Sequence, residues 1–519
     1  MPVRCGIDLG TTYSAISWYD AFNHRVETVD LDSADGRKIL RSAVYFPGAD
    51  EDPVVGDTAW NAAQQHPDRV ITGIKRSMGT SFKTAPIDGR EYSPQEVSAE
   101  ILKVLTRDGG LFLGEEIHDV VITVPAYFGD NQRSATEEAG KLAGLNVLAL
   151  LPEPHAAALA YAVENAVDLQ ERYLLVYDLG GGTFDVTLIH AKKVDDGQAG
   201  IGLDIRTLCK AGNRELGGLD WDHSLAELVA ERVLQEHSLD VREDPDNEPL
   251  LLDNCEKAKR HLSRTNQAAV VADAQNHQVD VAVTDFEGQT SDLLLQTQAL
   301  LEQVLEEAER DHGVSKDQIE VMLTGGSSRM PMVHQMLENV MGRPPFQYRN
   351  PELLVTIGAA YWAHLLGRGD EAPGDQPAVA TRAVGEDGVV ASRDVRVQLT
   401  DIGFAVGVEV QRPDGQGSFT SVNTVVVSDG AVYGQQFKKE FATVFDGQTE
   451  IQIALYEGDS ENPDECTPLK TFTITGLPEG RPKGQRVLVE MGYDDSGILR
   501  GVARDQQTGQ EVEILIDRK

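Results

Sequence analysis

The sequence predicts a duplicated α/β domain followed by an all-β sandwich. Three observations carry this reading. Two glycine turns of matching character each sit between apolar, strand-like runs. A third glycine turn opens a helical stretch. Short alternating strands then recur over residues 402–519.

The clearest turn is Tyr177-Asp178-Leu179-Gly180-Gly181-Gly182-Thr183-Phe184-Asp185, set between Leu174–Val176 and Val186–Ile189. It reads as strand, tight turn, strand. Glycines let backbone N–H groups approach a ligand closely, and clustered N–H groups form an anion-binding concavity. The bracketing acids would repel a bare phosphate, which points to an intervening cation, and magnesium suits carboxylates plus phosphates. A plain β-hairpin also fits this turn taken alone. Its echo is Gly6-Ile7-Asp8-Leu9-Gly10-Thr11-Thr12-Tyr13-Ser14, so two related half-domains facing one nucleotide are expected. The third turn is Leu323-Thr324-Gly325-Gly326-Ser327-Ser328-Arg329-Met330-Pro331. None of the three is a GxxxxGK[ST] or GxGxxG phosphate motif.

A chain of 519 residues holds two to four domains with ample core. Hydrophobic content of 41% and charged content of 25% are ordinary for a globular protein. The formal net charge of −38 argues against nucleic-acid or anionic-membrane partners, which need basic patches. Cys5, Cys209, Cys255 and Cys466 form no CxxC pair, so neither a zinc site nor a disulfide framework is indicated. The chain runs into its first strand, Val3 to Leu9, without a charged-then-apolar leader. No apolar run approaches the ~18 residues of a membrane span. A cytoplasmic location is expected.

The elements follow in order. A strand is expected over Arg41–Pro47, then helices over Asp57–Gln65 and Ser93–Thr106, the second with Pro94 at its first position. Asp119 to Pro125 reads as a buried strand ended by the proline, with a helix starting near Asp130. Pro154 suits a helix start, and the alanines after it suit close packing; Glu153 there could serve only the helix dipole. Leu216-Gly217-Gly218-Leu219-Asp220-Trp221-Asp222 opens a helix reaching Leu234. On a further helix, Glu256, Lys259, Arg260 and Ser263 share one face, at offsets of three, four and seven positions. A solvated charged face is the plainer reading of that run. Residues 369–392, rich in Gly, Pro, Ala and acids, read as a linker.

In the C-terminal part, strands are expected at Phe404–Val410, Ser421–Val427, Lys438–Phe445, Glu450–Tyr456, Lys470–Ile474, Arg486–Tyr493, Leu499–Arg504 and Glu511–Ile516. Turn signals separate them at Asp414-Gly415, Asp446-Gly447, Asp495-Ser496-Gly497 and Thr508-Gly509.

The three glycine motifs, in this order, resemble the seventy-kilodalton heat-shock chaperone family of the DnaK type. The resemblance covers nearly the whole chain apart from a segment near residues 369–396. It implies an actin-like, ribonuclease-H-like duplicated ATPase domain over 1–368, a linker over 369–401 and an all-β sandwich peptide-binding domain over 402–519. It implies ATP and ADP with Mg²⁺ as cofactor, and K⁺ as a further ion. By that likeness Asp8 and Asp178 hold magnesium through water, and Lys75, Glu153, Thr183 and Asp185 are catalytic. Nucleotide contacts fall on Gly10, Thr11, Thr12, Tyr13, Gly181, Gly182, Thr183, Gly217, Glu256, Lys259, Arg260, Ser263, Gly325, Gly326, Ser327, Arg329 and Glu352. Arg329 would stack on the base opposite the Glu256–Ser263 face. The family usually has Asp where Glu352 stands.

Pro125, Arg133, Leu399 and Asp401 match residues that relay nucleotide state to the peptide domain. Here the apolar residues of Val397–Asp401 alternate with polar ones, so a plain edge strand fits too. Pro152 and His155 replace the family's usual Asn and Thr beside the site that docks a J-domain partner. Val408, Phe441, Ile451 and Ile453 match the family's hydrophobic peptide pocket, although any sandwich core holds such residues. Gln411 and Val444 match the pair that arches over the peptide, with Gln411 in place of an apolar residue. The chain stops at Lys519, where the family's helical lid would begin, so a trimmed or naturally lidless groove with fast exchange is expected.

The resemblance implies an ATP-dependent chaperone of the stress response, binding exposed hydrophobic segments and served by a J-domain co-chaperone and a nucleotide-exchange factor. Two alternatives stay open. One is a small-molecule kinase on the same fold, in which the sandwich has no place. The other is a nucleotide-sensing binding or assembly scaffold with weak ATPase and poor interdomain coupling.

Overall fold

The computed structural model describes the chain apart from residues 1–2, 32–37, 50, 196–199, 245–246, 347, 349, 367–377, 385–389, 414–418, 433, 495–496 and 516–519. The chain divides into two compact units. One comprises Met1–Tyr127 with Glu138–Leu399, the other Phe128–Glu137 with Thr400–Lys519.

The first unit is built on two six-stranded sheets of the same plan. In one, Arg4–Asp8 pairs antiparallel with Tyr13–Asp20, which pairs with Arg25–Thr28. On its other side Arg4–Asp8 runs parallel to Asp119–Val124, and that strand parallel to Asn146–Pro152. In the other, Glu171–Leu179 pairs antiparallel with Phe184–Val194, which pairs with Ile201–Asn213. Glu171–Leu179 also runs parallel to Ile319–Thr324. Parallel strands covered on both faces need continuous apolar runs, and Val120, Val121, Ile122 and Val124 are fully buried. The duplication expected from the glycine turns is thus a duplication of strand order. In each sheet the hairpin closes at an acid, Asp8 opposite Ala15 and Asp178 opposite Asp185.

Helices begin where the cap chemistry allows. Ser93 Oγ accepts from the Glu96 amide and Glu96 Oε2 accepts from the Ser93 amide, a reciprocal cap before Pro94. That helix runs to Leu113, past the expected end at Thr106. Its Asp-Gly-Gly run reads as a stop, but Gly109 packs where an added Cβ would lie 2.9 Å from Ile117 Cδ1. Tertiary packing therefore carries the helix through two poor formers. The helix Pro351–Leu366 packs hard against its neighbours through two glycines. A Cβ on Gly6 would sit 2.1 Å from Ala360 N, and one on Gly358 would sit 1.8 Å from Ala156 O. The alanines of Glu153–Glu164 are fully buried, as close packing requires.

Residues 369–392, expected to be a linker, are partly structured. Ala378–Val384 pairs antiparallel with Val390–Thr400, and this hairpin extends the second sheet. The composition reads as a linker because glycine, proline and acids dominate it, yet Val379, Thr381 and Val384 are β-branched residues that suit a strand. The remainder of that stretch, 369–377 and 385–389, lies outside the described residues.

The second unit holds two four-stranded antiparallel sheets. One has the order Phe419–Val427, Val406–Pro413, Ile451–Glu457, Thr467–Ile474; the other has Phe437–Ala442, Arg486–Tyr493, Leu499–Asp505, Glu511–Leu515. Val406, Val408, Ile453, Leu455, Val489, Met491, Leu499 and Ile514 form the buried core. These are the eight strands expected from the alternation. One ends early: the strand expected over Lys438–Phe445 stops at Ala442, because the Val444 and Phe445 amides both turn to Gln448 Oε1. The turn Asp414-Gly415 lies outside the described residues. Cys5, Cys209 and Cys255 are buried free thiols and Cys466 is a partly buried one. Among the described residues no helix is long and apolar enough to cross a membrane.

Gly358→Val should destabilise the protein by about 1–3 kcal/mol or more, since the new side chain meets backbone that cannot yield. Gly288→Ala, in a helix with nothing within 4 Å, should stabilise by up to about 1 kcal/mol. Denaturant midpoints of the two variants measure both.

Candidate functional site

The two acid-ended hairpins open onto one cleft of about 520 Å³ in the first unit. It is lined by Asp8, Gly10, Thr11, Thr12 and Tyr13 of the first hairpin and by Asp178, Gly181 and Thr183 of the second. Gly325, Gly326, Ser327 and Arg329 of the third turn line it, as do Glu352, Lys75, Glu153, Glu256, Lys259, Arg260 and Ser263. Gly182, Gly217 and Asp185 are sequence-predicted residues that do not line it. Asp185 is buried just behind, accepting from the Tyr127 amide at 3.0 Å. Gly217 packs on the second hairpin, where an added Cβ would lie 2.6 Å from the Gly182 backbone. Gly182 O accepts from Arg76 Nε.

The turns bring atoms together that bulkier residues would hold apart. A Cβ on Gly181 would fall 1.9 Å from Thr12 Oγ1, so the tips of the two hairpins touch. Gly325 adopts a φ of 77° and would place a Cβ 2.4 Å from Leu179 O.

At the inner end lies a cluster of buried charge. Lys75 Nζ donates to Glu153 Oε1 at 2.6 Å, with both side chains buried. Burial alone would lower the Lys75 pKa, but Glu153 and Asp8 raise it, so the ammonium persists. Burial pushes the Asp8 carboxyl up to about 7, helped by Glu153 and opposed by Lys75 and by the Thr123 hydroxyl at 3.1 Å. Burial and the Glu153 charge likewise push Asp185 up to about 7. Asp178 is raised well above the ordinary carboxylate range for the same two reasons. Four carboxyl groups thus gather around the Lys75 ammonium, with Lys210 acting on Asp185 alone among them. A buried excess of negative charge is costly unless a cation joins it. Among the described residues no three such groups converge to grip an ion directly, which fits an ion held through its own water. Thr12 Oγ1 is buried with no partner among the described residues, as a hydroxyl awaiting a ligand would be. The residues present fit a magnesium-bound phosphate chain.

The outer end is held by a second network. Arg41 Nη1 donates to Glu256 Oε2 at 2.8 Å and Arg41 Nη2 to Tyr13 Oη at 2.6 Å. Tyr13 Oη reaches Glu256 Oε1 at 3.2 Å, and Arg260 pairs with Glu256 at 2.8 Å. Burial opposes ionisation of Glu256, but Arg41 and Arg260 outweigh it and hold its pKa down. Lys259 Nζ donates to Asp222 Oδ2 at 2.7 Å and to Gly218 O at 2.8 Å. Arg329 pairs with Glu352 across the mouth. Sequence reasoning did not single out Arg41, Asp222 or Thr123 as site residues. Asp222 ends the quoted Leu216–Asp222 motif, and its spacing to Lys259 is visible only once two helices pack. Arg41 sits at the start of an expected strand and carries no signal beyond its charge.

The residues expected to couple the domains fall in both units. Pro125 follows the strand Asp119–Val124, and Leu399 is half-buried on the core of the first unit. Arg133 and Asp401 belong to the second unit and are buried with 3.8 Å between their charged atoms. Val408, Gln411, Phe441, Val444, Ile451 and Ile453, expected to form a peptide site, all line a groove of about 760 Å³ in the second unit.

Duplicated sheets, paired phosphate hairpins and a buried Lys–Glu pair at their junction define a nucleotide-binding protein of the actin-like class, here joined to a β-sandwich. The chain belongs to the Hsp70 family: the family profile described as Hsp70 protein matches residues 4–90 and 84–519. It is 36% identical over 521 residues to the chaperone protein DnaK of Thermotoga neapolitana, covering 98% of this chain and 80% of that protein. The DnaK of Thermotoga maritima is 36% identical over the same span. That of Thermosipho melanesiensis is 34% identical over 520 residues, covering 79% of its length. The fold is therefore an ATP-binding actin-like domain followed by a β-sandwich.

A magnesium-bound nucleotide in this cleft would require Asp8, and Asp185 behind it, in the ionised form. Mg²⁺–ADP affinity should therefore fall about tenfold or more from pH 8 to pH 6. The sign reverses without ligand: carboxyls raised to about 7 stabilise the fold below the unfolded Asp value, and this is lost as pH rises through about 7. Thermal melting should show a larger Mg²⁺–ADP shift at pH 8 than at pH 6. Equal shifts would mean these acids do not face the ligand.

Proposed function

We propose that the chain hydrolyses ATP and uses the hydrolysis to switch its affinity for exposed hydrophobic peptide segments. The observation that carries this reading is the buried Lys75–Glu153 pair at the meeting point of the two phosphate hairpins. The groove of the second unit supplies the peptide site.

In this reading Asp8 and Asp178 would hold a magnesium ion through water, and the ion would offset the charge of the phosphates. Thr11, Thr12 and Thr183 donate to phosphate oxygens. Glu153 and Asp185 orient a water for in-line attack on the γ-phosphorus. The new bond to the water oxygen forms as the bond to the β–γ bridging oxygen breaks, and ADP leaves with that electron pair. The Lys75 ammonium stabilises the charge on the transferred group. Glu256, Lys259, Arg260 and Ser263 hold the adenosine with Arg329 and Glu352 opposite. No single group supplies more than a few kcal/mol of barrier, so turnover is slow without a J-domain partner and an exchange factor. Pro125, Arg133, Leu399 and Asp401 carry the nucleotide state to the peptide groove, and the protein works in the cytoplasm.

One observation favours a second reading, a nucleotide-sensing scaffold with weak ATPase. Val390–Thr400 is a paired sheet strand, and a strand within a ladder is released only by breaking its hydrogen bonds. Such a strand would hold the two functions apart.

Lys75→Ala should lower the single-turnover hydrolysis rate at least about 100-fold while leaving ADP affinity within a few fold. Equal loss of both would remove Lys75 from the chemistry. Release of a labelled hydrophobic peptide should be faster with ATP than with ADP. Identical rates, with ATP binding measured separately, would leave the scaffold.

A further inference from the structure

An aromatic pair stands at the groove: Phe445 lines it, and Phe419 reaches Phe445 from the end of the neighbouring hairpin. Phe419 opens the strand Phe419–Val427, directly opposite Pro413, on the hairpin whose residues Val408–Gln411 form one wall. Phe445 follows the strand Phe437–Ala442 and belongs to the other wall. Their rings meet edge to face, with centroids 5.4 Å apart and planes at 62°. The contact therefore joins the end of the Val406–Val427 hairpin to the loop after the strand Phe437–Ala442. Both side chains stay in water, Phe419 42% and Phe445 51% exposed, and neither is part of the sandwich core.

The residue expected to arch over the groove is engaged elsewhere. Gln411 Nε2 donates to Ser421 Oγ at 2.8 Å, and Ser421 Oγ donates to Glu409 Oε1 at 2.6 Å. Tyr456 Oη donates to the other Glu409 oxygen at 3.1 Å. This chain of bonds ties Gln411 along its own hairpin, and breaking it to reach across would leave polar groups unpaired. Phe445, by contrast, stands on a pinned loop. The Val444 and Phe445 amides both donate to Gln448 Oε1, at 3.0 and 3.1 Å. The Lys483 amide donates to Asp446 Oδ1 at 2.7 Å.

We infer that Phe419 and Phe445 form the clasp of the groove: an extended apolar segment lies beneath the two rings, which must part for it to enter or leave. The inference rests on the peptide-binding reading of this groove. A ring-on-ring contact suits the task. It is strong enough to slow release and weak enough to open without disturbing the sheets. Its own exposed faces offer cover to the apolar side chains of the segment it encloses.

The test is the release rate of a dansyl-labelled, leucine-rich heptapeptide from the full chain with ADP, chased with unlabelled peptide. Phe419→Ala and Phe445→Ala should each speed release about two- to tenfold, the range expected for one aromatic pair. The double variant should release no faster than the faster single one, because either change removes the same contact. Gln411→Ala should release at the wild-type rate, and Phe445→Tyr, which keeps the ring, should stay near it. Melting curves of each variant check that the sandwich is folded; Phe445→Leu serves if the alanine form is not. Wild-type release from folded Phe419→Ala and Phe445→Ala would overturn the clasp while leaving the groove as the peptide site. A wild-type chain that binds no such peptide would overturn both.

Discussion

The first unit depends on keeping one ammonium and four carboxyl groups together in a buried place. Lys75 and Glu153 neutralise each other at 2.6 Å, but Asp8 and Asp178 are left facing the cleft, with Asp185 buried close behind them. A buried ion pair seldom adds stability over an apolar substitute, and extra buried acids subtract from it. The arrangement suits a site at which a cation balances the carboxylates. Perturbed pKa values of this kind gather where a structure binds or reacts.

The fold supplies the means. Each sheet places an acid at the base of a two-strand hairpin and sets a parallel strand beside it, so Thr123 supports Asp8 and Thr324 lies level with Asp178. Bringing two such sheets together demands small residues between them. Gly6, Gly358 and the alanines from Ala156 to Ala160 allow helix and strand to approach at distances that no Cβ would permit. The outer network of Tyr13, Arg41, Glu256 and Arg260 then joins residues far apart in sequence around the mouth of the cleft. Core packing and ligand geometry are thus one problem with one solution, which explains the buried glycines in an otherwise ordinary composition.

The second unit uses a different economy. Alternating strands give each sheet one apolar face, and the two faces make a core of aliphatic side chains. Val408, Ile451 and Ile453 are mostly enclosed in that core, while Phe441 and Val444 remain partly open to the groove. The groove is therefore a place where the sandwich core comes to the surface. Loops that carry polar pins, such as Gln448, hold its walls without filling it.

What the sequence determined by itself is what short-range chemistry encodes. The glycine hairpins, the Ser93–Glu96 cap, the alternation of the eight C-terminal strands and the shared face of Glu256, Lys259, Arg260 and Ser263 are each readable within a few residues. They were enough to place two matching half-domains before a β-sandwich, while Lys75, Glu153 and Glu352 in the cleft lining were implied by the family resemblance. Only the tertiary structure decided the rest. The helix that runs through Gly109 and Gly110, and the strand Val390–Thr400 where composition reads as linker, owe their form to neighbours distant in sequence. The pairing of Asp222 with Lys259, the reach of Arg41 to Glu256 and the contact of Phe419 with Phe445 have no local signature. A side chain's partner across a cleft is set by how sheets and helices stack, and that information is spread over the whole chain.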